Sequence, residues 1–98
     1  MLPDKKSKTT TNSESETRLY HQRYLRAMNN PERRKILRFL IKVTATFEEL
    51  ENKTGMDKSV LEWHLNVLET GFCIEKENQK GKIIFKLTQE GKVVNYMR

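Results

Sequence analysis

One face of a predicted helix between residues 57 and 70 carries side chains of the types that contact DNA bases. The side chains opposite its apolar stripe include Lys58, Ser59, Glu62 and Asn66. Asn66 could pair with adenine, Glu62 could accept from cytosine N4, and Lys58 could contact guanine or a phosphate. This chemistry is recognition rather than reaction. A carboxylate is repelled by phosphates, however, so Glu62 adds no general affinity.

Catalysis and metal binding find little support in the sequence. His21, His64 and Cys73 are isolated and lack the spacing of metal ligands. There is no glycine-rich phosphate loop and no nucleophile–base pair. We therefore expect no enzyme activity, no metal and no cofactor. His64 falls within an apolar stripe and is expected in the core, and Cys73 is expected to be a small buried hydrophobe rather than a redox switch.

A dense basic cluster precedes that helix. It consists of Arg33, Arg34, Lys35 and Arg38. Arg33 and Arg34 fall in the first turn of a predicted helix, and helix N-termini attract phosphate. The alternative is a solvated charged face. The cluster could be extended by Arg18, Arg23 and Arg26. Alternatively, these three arginines could form the solvent-facing side of a dimer helix whose tyrosine face is buried.

A second basic cluster surrounds a predicted hairpin. Lys80 and Lys82, with Lys76 as a further candidate, could contact phosphates, and Asn78 and Gln79 stand at the tip. The alternative is a solvated hairpin whose lysines protect a sheet edge from aggregation. Both alternatives predict an exposed turn. If DNA is the partner, the hairpin is a better candidate for electrostatic attraction than the predicted helix 57–70.

The charge of the chain is unevenly distributed. Its 98 residues carry a net charge of +6 and a pI of about 9.6, which favours an anionic partner. Residues 15–42 carry a net +6, whereas residues 43–70 hold six acids against two lysines, a net −4. The predicted base-contacting helix therefore lies in the acidic part of a basic chain.

Length and composition predict one domain in a cytoplasmic protein. A chain this short has one small core, and dimerisation would help to cover its apolar surface. It has no long apolar run and no signal-peptide core at its start. A single cysteine excludes an internal disulfide and fits a reducing compartment.

The order of elements predicts a winged helix-turn-helix, mainly α, with about five helices and a two- or three-stranded antiparallel sheet. Residues 1–14 are polar and expected to be disordered, and residues 15–98 form the domain. Asn30 with Pro31, and Thr46 with Glu49, mark two helix starts. The predicted elements are helices 15–28, 31–42, 46–54, 57–70 and 89–98, a short strand within 43–46, and strands 72–77 and 82–87, with a turn at 78–81.

Three stretches resemble ArsR-type and related archaeal winged-helix regulators. They read NPERRKILRFL, TFEELENKTGMDKSVLEWHLNVLETGF and GKIIFKLTQEG, and with them the resemblance spans residues 31–91, about two thirds of the chain. It implies a homodimer joined through its first and last helices, with the recognition helix in the major groove of double-stranded DNA and the wing on the backbone or minor groove.

The resemblance also implies roles for particular residues. Recognition falls on Lys58, Ser59, Val60, Glu62, Trp63 and Asn66. Dimerisation falls on Leu19, Tyr20, Tyr24, Met28, Val93, Val94 and Met97. Many relatives sense metals through paired cysteines on the helix before the turn, but residues 47–54 hold no Cys or His, which argues against metal sensing there. No small-molecule effector is indicated.

Two functions follow from these observations. The first is a homodimeric DNA-binding transcriptional regulator that uses helix 58–70 and wing 76–82. The second is a winged-helix module that docks a protein partner through its acidic helix and Trp63. Trp63 decides part of this choice, because it could pack at the rim of the core, stack on a ligand or anchor a partner.

Overall fold

The elements follow the order predicted from the sequence. The structure, a computed structural model, describes residues 14–96. Its elements are α1 (Glu14–Met28), α2 (Pro31–Lys42), β1 (Ala45–Thr46), α3 (Phe47–Thr54), α4 (Lys58–Thr70), β2 (Ile74–Gln79), β3 (Lys82–Leu87) and a C-terminal 3-10 helix (Glu90–Tyr96). This is a mainly helical winged helix-turn-helix with a three-stranded antiparallel sheet, as predicted. The tail predicted at residues 1–14 lies outside the described residues, except for Glu14, which begins α1.

Side-chain caps set the starts of α2 and α3. The Asn30 side chain accepts hydrogen bonds from the backbone N–H groups of Glu32 and Arg33, at 2.9 and 3.1 Å. Thr46 and Glu49 form the predicted capping box, in which each side chain accepts from the other residue's backbone N–H, at 3.2 and 2.8 Å. These bonds satisfy donors that a helix start leaves unpaired. The two helix starts are therefore encoded locally.

A short turn joins α3 to α4. Gly55 has a φ of 72°, a left-handed conformation that favours glycine, and its N–H donates to the Glu51 carbonyl at 2.8 Å. Asp57 precedes α4 but makes no side-chain cap bond. α4 then buries Leu61, Leu65 and Leu68 against the core. The turn thus leaves the opposite face of α4 outward.

The sheet has the order β1-β3-β2, and β2 and β3 form the hairpin of the wing. Their register runs from Ile74 opposite Leu87 to Gln79 opposite Lys82. The turn is only Lys80–Gly81, with φ of 53° and 82°, rather than the predicted 78–81. Positive φ at both central residues matches the twist of the strands, so the ladder continues to Gln79.

The C-terminal segment differs from the predicted α-helix over 89–98. The described part forms a 3-10 helix, Glu90–Tyr96. Thr88 accepts from the Gly91 N–H at 3.0 Å, as a cap would. The Lys92 N–H is shared between the carbonyls of Thr88 and Gln89, both at 3.2 Å, and this bifurcation tightens the first turn.

α1 packs closely on the end of α4. A Cβ placed on Gly71, which follows α4, would lie 2.7 Å from both the Ala27 side chain and the Arg23 carbonyl. Only glycine therefore fits at this position without a shift of α1. Ala27 and Met28 join the core cluster beside Leu68. The close approach brings the C-terminal half of α1 beside α4.

Candidate nucleic-acid interface

The predicted contact face of α4 is exposed. Lys58, Ser59, Glu62 and Asn66 are all solvent-accessible. Val60, which the resemblance adds to this set, is also exposed. The base-contacting groups are therefore available, although their role stays a prediction.

The hairpin separates paired from unpaired lysines. Lys76 pairs with Glu69 at 3.6 Å, and Lys86 pairs with Glu77 at 3.1 Å. The hydrogen bond from Lys86 lowers the pKa of the Glu77 carboxyl. Within residues 14–96, Lys80 and Lys82 have no carboxylate partner, and both are exposed. These two lysines are the free cations of the hairpin.

Asn78 and Gln79 occupy the last positions of β2, and both are exposed. The Asn78 side-chain oxygen accepts from the Gly81 N–H at 3.0 Å. Asn78 therefore helps to form the turn, and its amide N–H₂ remains available as a donor to an external group such as a phosphate. Gln79 lies directly opposite Lys82 in the ladder.

A cleft connects the hairpin to the start of α4. It has a volume of about 690 Å³, and Lys58 and Glu62 line it together with Lys82. The α3 side of the cleft carries Glu48, Glu49 and Glu51. The hairpin and α4 thus share one surface, and carboxylates border it on the α3 side.

Arg33 corrects the expectation of a phosphate contact in α2. Its side chain is only 4% exposed. Its guanidinium donates to the carbonyls of Ala27 and Arg26, at 3.2 and 2.8 Å, and lies 3.2 Å from His64 Nδ1. The helical spacing explains this, since Arg33 is on the same stripe as Ile36, Leu37 and Leu40.

Arg33 is a buried cation held by the end of a helix. The carbonyls that accept from it belong to the last turn of α1, where the helix dipole is negative. Burial, and then the nearby Arg26, lower the pKa of Arg33, although a guanidinium stays charged. We expect Arg33 to join α1, α2 and α4 rather than to contact DNA.

His64 is in the core, as predicted, and is 6% exposed. An arginine N–H can only donate, so the 3.2 Å contact assigns Nδ1 as the acceptor and places the proton of a neutral ring on Nε2. Burial, followed by the charge of Arg33, lowers the His64 pKa. Protonation would remove the acceptor and set two cations side by side.

The other basic residues of α2 point to different surroundings. Arg34 is half-buried, and its guanidinium donates to the Met28 carbonyl at 2.8 Å. Lys35 is exposed and lies 3.5 Å from Glu32. The neighbouring residues Arg33, Arg34 and Lys35 therefore have different surroundings in the folded protein, and the three do not present one common basic face.

Trp63 is 49% exposed, so it lies at the edge of the core and keeps an accessible face. The guanidinium groups of Arg33 and Arg26 lie 5.4 and 5.8 Å from its ring centroid. Its ring also contacts His64, with centroids 5.0 Å apart. Both distances from arginine are typical of cation–π contacts.

A small cleft lies where α1 meets α4. Its volume is about 220 Å³, and it is lined by Arg23, Arg26, Trp63, Asn66, Val67 and Thr70. The sequence leaves the position of Arg23 and Arg26 open, because it does not reveal which face of α1 packs on α4. The small residues Ala27 and Gly71, which permit that packing, are the available signal.

The residues predicted at a dimer interface differ in their exposure. Leu19 and Val93 are exposed, and so are Leu25 and Tyr96, which were not predicted. Met28 and Val94 are instead buried within the protomer, since they pack in its core. Met97 lies outside the described residues.

The two predicted interface tyrosines are half-buried. Tyr20 packs edge-on against Phe72, with ring centroids 4.9 Å apart. The Tyr24 hydroxyl donates to the Glu90 carbonyl at 3.4 Å, and burial raises the Tyr24 pKa. Both rings already join α1 to the C-terminal part of the protomer, so each has only a partial surface left for a second copy.

The remaining reactive groups offer no second site. Among residues 14–96, no three His, Cys, Asp or Glu side chains converge as metal ligands. Cys73 is buried, and burial together with the Glu90 charge raises its pKa to about 12. No helix in the same range has the length and apolar character needed to cross a bilayer.

Known proteins share this fold. Residues 30–70 match the model of a family described as bacterial regulatory protein, arsR family. No curated protein matches the chain in sequence. The solution structure of Mb0332 from Mycobacterium bovis superposes with a TM-score of 0.74 at 20% identity, over 89% of this chain and 80% of that one. Mb0332 is described as a homodimeric winged helix-turn-helix DNA-binding domain and a possible ArsR-family transcriptional regulator.

Two further solved structures are similar. NolR from Sinorhizobium fredii superposes with a TM-score of 0.72 at 24% identity, over 99% of this chain and 93% of that one. The transcriptional repressor BigR from Xylella fastidiosa gives 0.68 at 23% identity, over 90% and 93%. The chain therefore has the winged helix-turn-helix fold of ArsR-type transcriptional regulators, and its residues 30–70 match that family directly.

Proposed function

We propose that this protein is a homodimeric transcriptional regulator that binds duplex DNA with α4 and the hairpin at residues 76–82. The observation that carries the proposal is the shared surface of the two elements. Lys58 and Glu62 of α4 border one cleft with Lys82 of the hairpin. Lys80, which has no carboxylate partner within residues 14–96, lies at the tip. An exposed polar helix beside a basic hairpin suits a groove and its phosphates.

The two elements contribute different parts of the binding. Phosphate contacts supply most of the affinity without regard to sequence, whereas base contacts supply selectivity. Lys80 and Lys82 provide cations at the hairpin. Glu62 and Asn66 of α4 provide groups that distinguish cytosine and adenine. Since residues 43–70 carry a net −4, α4 adds little to the attraction.

Dimerisation would use α1 and the C-terminal 3-10 helix. Leu19 of α1 and Val93 of the 3-10 helix are exposed apolar side chains, and so are Leu25 and Tyr96 of the same two helices. Mb0332, the neighbour with a TM-score of 0.74, is described as homodimeric. A two-fold dimer would require two half-sites, so the DNA site is expected to be palindromic.

The test is a titration of fluorescent duplex DNA with the full chain at two salt concentrations. We expect binding at 50 mM salt and, with six or more phosphate contacts, a loss of affinity of about 10³-fold or more at 200 mM. Binding that is absent at low salt, or insensitive to salt, would contradict the proposal. Light scattering of the free protein tests the dimer, and Leu19→Asp with Val93→Asp is expected to yield monomer.

A second candidate is a protein-docking module. It is favoured by the half-exposed Trp63 on a helix bordered by carboxylates. Large aromatic side chains are frequent anchors at protein interfaces. Two variants separate the candidates. DNA binding predicts a large loss with Lys80→Glu, whereas protein docking predicts no duplex binding at moderate salt and loss of the partner with Trp63→Ala but not with Lys80→Glu.

A further inference from the structure

We propose that α1 adds a phosphate-binding corner to the DNA surface, formed by Arg23 and Arg26 beside Trp63. The ligand is a backbone phosphate of duplex DNA, next to the C-terminal half of α4. This inference rests on the proposed function and extends it to a helix outside the helix-turn-helix. The corner is the cleft of about 220 Å³ between α1 and α4.

The corner is held in place by packing. The Gly71 backbone touches Ala27 and the Arg23 carbonyl so closely that no side chain fits between them. Ala27 and Met28, which directly follow Arg26 in α1, are buried in the core. The two arginine side chains therefore project from a fixed helix beside Asn66, one of the predicted base-contacting groups.

The two arginines are exposed, and among the described residues 14–96 neither has an acidic partner. None of the ion pairs within residues 14–96 includes Arg23 or Arg26. Glu69, the acidic residue in the C-terminal half of α4, is paired with Lys76 instead. The buried Arg33 adds a third positive charge close to Arg26, and this proximity helps to lower the Arg33 pKa. A phosphate would offset this local excess of positive charge.

Trp63 prepares Arg26 for such an interaction. The guanidinium of Arg26 lies 5.8 Å from the centroid of the Trp63 ring. An arginine held over an aromatic face by a cation–π contact keeps N–H donors free, and these match a phosphate in pairs. Such a contact also limits the rotamers of a long side chain, so binding costs less conformational entropy. The exposed half of Trp63 leaves space for the sugar–phosphate backbone.

The corner and the hairpin bracket α4. Lys58 and Lys82 border the cleft at the N-terminal end of α4, and Asn66 borders the corner. The helix rise from Lys58 to Asn66 is about 12 Å. Cations at the two ends of this stretch are therefore far enough apart to contact different phosphates of the duplex.

The test measures how the affinity for duplex DNA depends on salt in the full chain. In Arg23→Ala/Arg26→Ala, we expect the slope of log affinity against log salt to fall by about 0.9 for each phosphate that the dimer no longer neutralises. Arg18→Ala is the matched control, because Arg18 is exposed on α1 outside the corner. Its slope is expected to equal that of the unmodified chain.

A conservative variant and a thermal unfolding measurement test whether the arginine variants still fold. The Arg26 carbonyl that holds Arg33 belongs to the backbone and remains in every variant. Arg26→Gln removes the charge and keeps a long side chain over Trp63, so its slope is measured as well, and circular dichroism compares the thermal transitions. The expected fall in slope for Arg26→Gln is about half that of the double variant if each arginine binds one phosphate.

Trp63 supplies a second readout, because it is the only tryptophan of the chain. We expect saturating duplex to change its emission in the unmodified protein. The proposed corner would be overturned if the unmodified chain binds duplex but the folded arginine variants show an unchanged salt slope. It would also be overturned if saturating duplex leaves the Trp63 emission unaltered. Either result would leave the proposed function standing. Absence of duplex binding by the unmodified chain at 50 mM salt would overturn both.

Discussion

Arg33 of α2 and Lys80 of the hairpin carry the same charge in opposite surroundings. Arg33 is 4% exposed and donates to two carbonyls at the end of α1. Lys80 is exposed at a turn and, within residues 14–96, has no carboxylate partner. A cation whose donors are already occupied contributes to stability, whereas a free cation is available for a ligand. Charge along the sequence therefore does not locate the binding surface until the buried cations are known.

Substitution of Arg33 is the most direct test of the contrast between the buried Arg33 and the exposed Lys80. Arg33→Ala leaves the carbonyls of Ala27 and Arg26 and the ring of His64 without their donor, so we expect a loss of about 2–4 kcal/mol in the free energy of unfolding. Lys35→Ala is the control on the same helix, because its exposed pair with Glu32 is worth at most about 1 kcal/mol. Urea denaturation measures both. Equal losses in the two variants would contradict the buried role.

A smaller effect is expected from pH, through His64. Burial lowers its pKa in the folded state, so the unfolded chain takes up this proton first as pH falls below about 6.5. Stability contributed by the neutral ring is therefore present near pH 7 and is lost toward the lower folded pKa. One proton limits this loss to about 2 kcal/mol between pH 7 and pH 5.

The charged groups around His64 are Arg33 and Glu32 of α2, while Trp63 packs on its ring. His64→Asn keeps a side-chain acceptor for Arg33 and cannot take up the proton. The free energies of unfolding of the unmodified chain and His64→Asn, measured in urea, should therefore differ by an amount that changes between pH 7 and pH 5. A difference that stays constant from pH 7 to pH 5 would show that His64 does not titrate as this arrangement requires.

The helix starts could be predicted from the sequence because local bonds set them. Thr46 with Glu49 and Asn30 with Pro31 mark these starts through bonds made within a few residues, and the structure contains them. Features that depend on packing between distant parts of the chain could not be predicted in this way. Arg33 looks like a surface residue beside Arg34, and only its place on the stripe with Ile36 and Leu37 indicates burial.

The C-terminal helix and the candidate site show the same limit. Gly91 lies against the Cys73 carbonyl, a contact that the local sequence of the last helix does not encode. Similarly, the α1–α4 corner exists because Gly71 meets Ala27 across the fold. The types of the site residues could thus be predicted from sequence, whereas their grouping required the packing of α1.

A slow thiol reaction, with little consequence for stability or DNA binding, is expected at Cys73. Its thiol is buried near the Gly71 carbonyl, at 3.6 Å, and its pKa is raised to about 12. Almost no thiolate exists at pH 8, so the native protein is expected to react with a thiol reagent far more slowly than the urea-unfolded chain. Reaction of the native protein at the unfolded rate would indicate that the core at this end of the sheet opens readily.

The central claim is that attraction to DNA comes from unpaired cations beside α4, and the hairpin offers its most direct test. The measurement is the salt dependence of duplex affinity in Lys80→Ala/Lys82→Ala and in Lys76→Ala/Lys86→Ala. Both variants remove two lysines from one hairpin, but within residues 14–96 only the second pair has carboxylate partners, Glu69 and Glu77. We predict that the slope falls by about 0.9 for each phosphate no longer neutralised in the first variant and stays nearly unchanged in the second. Equal slopes in both variants would contradict the account.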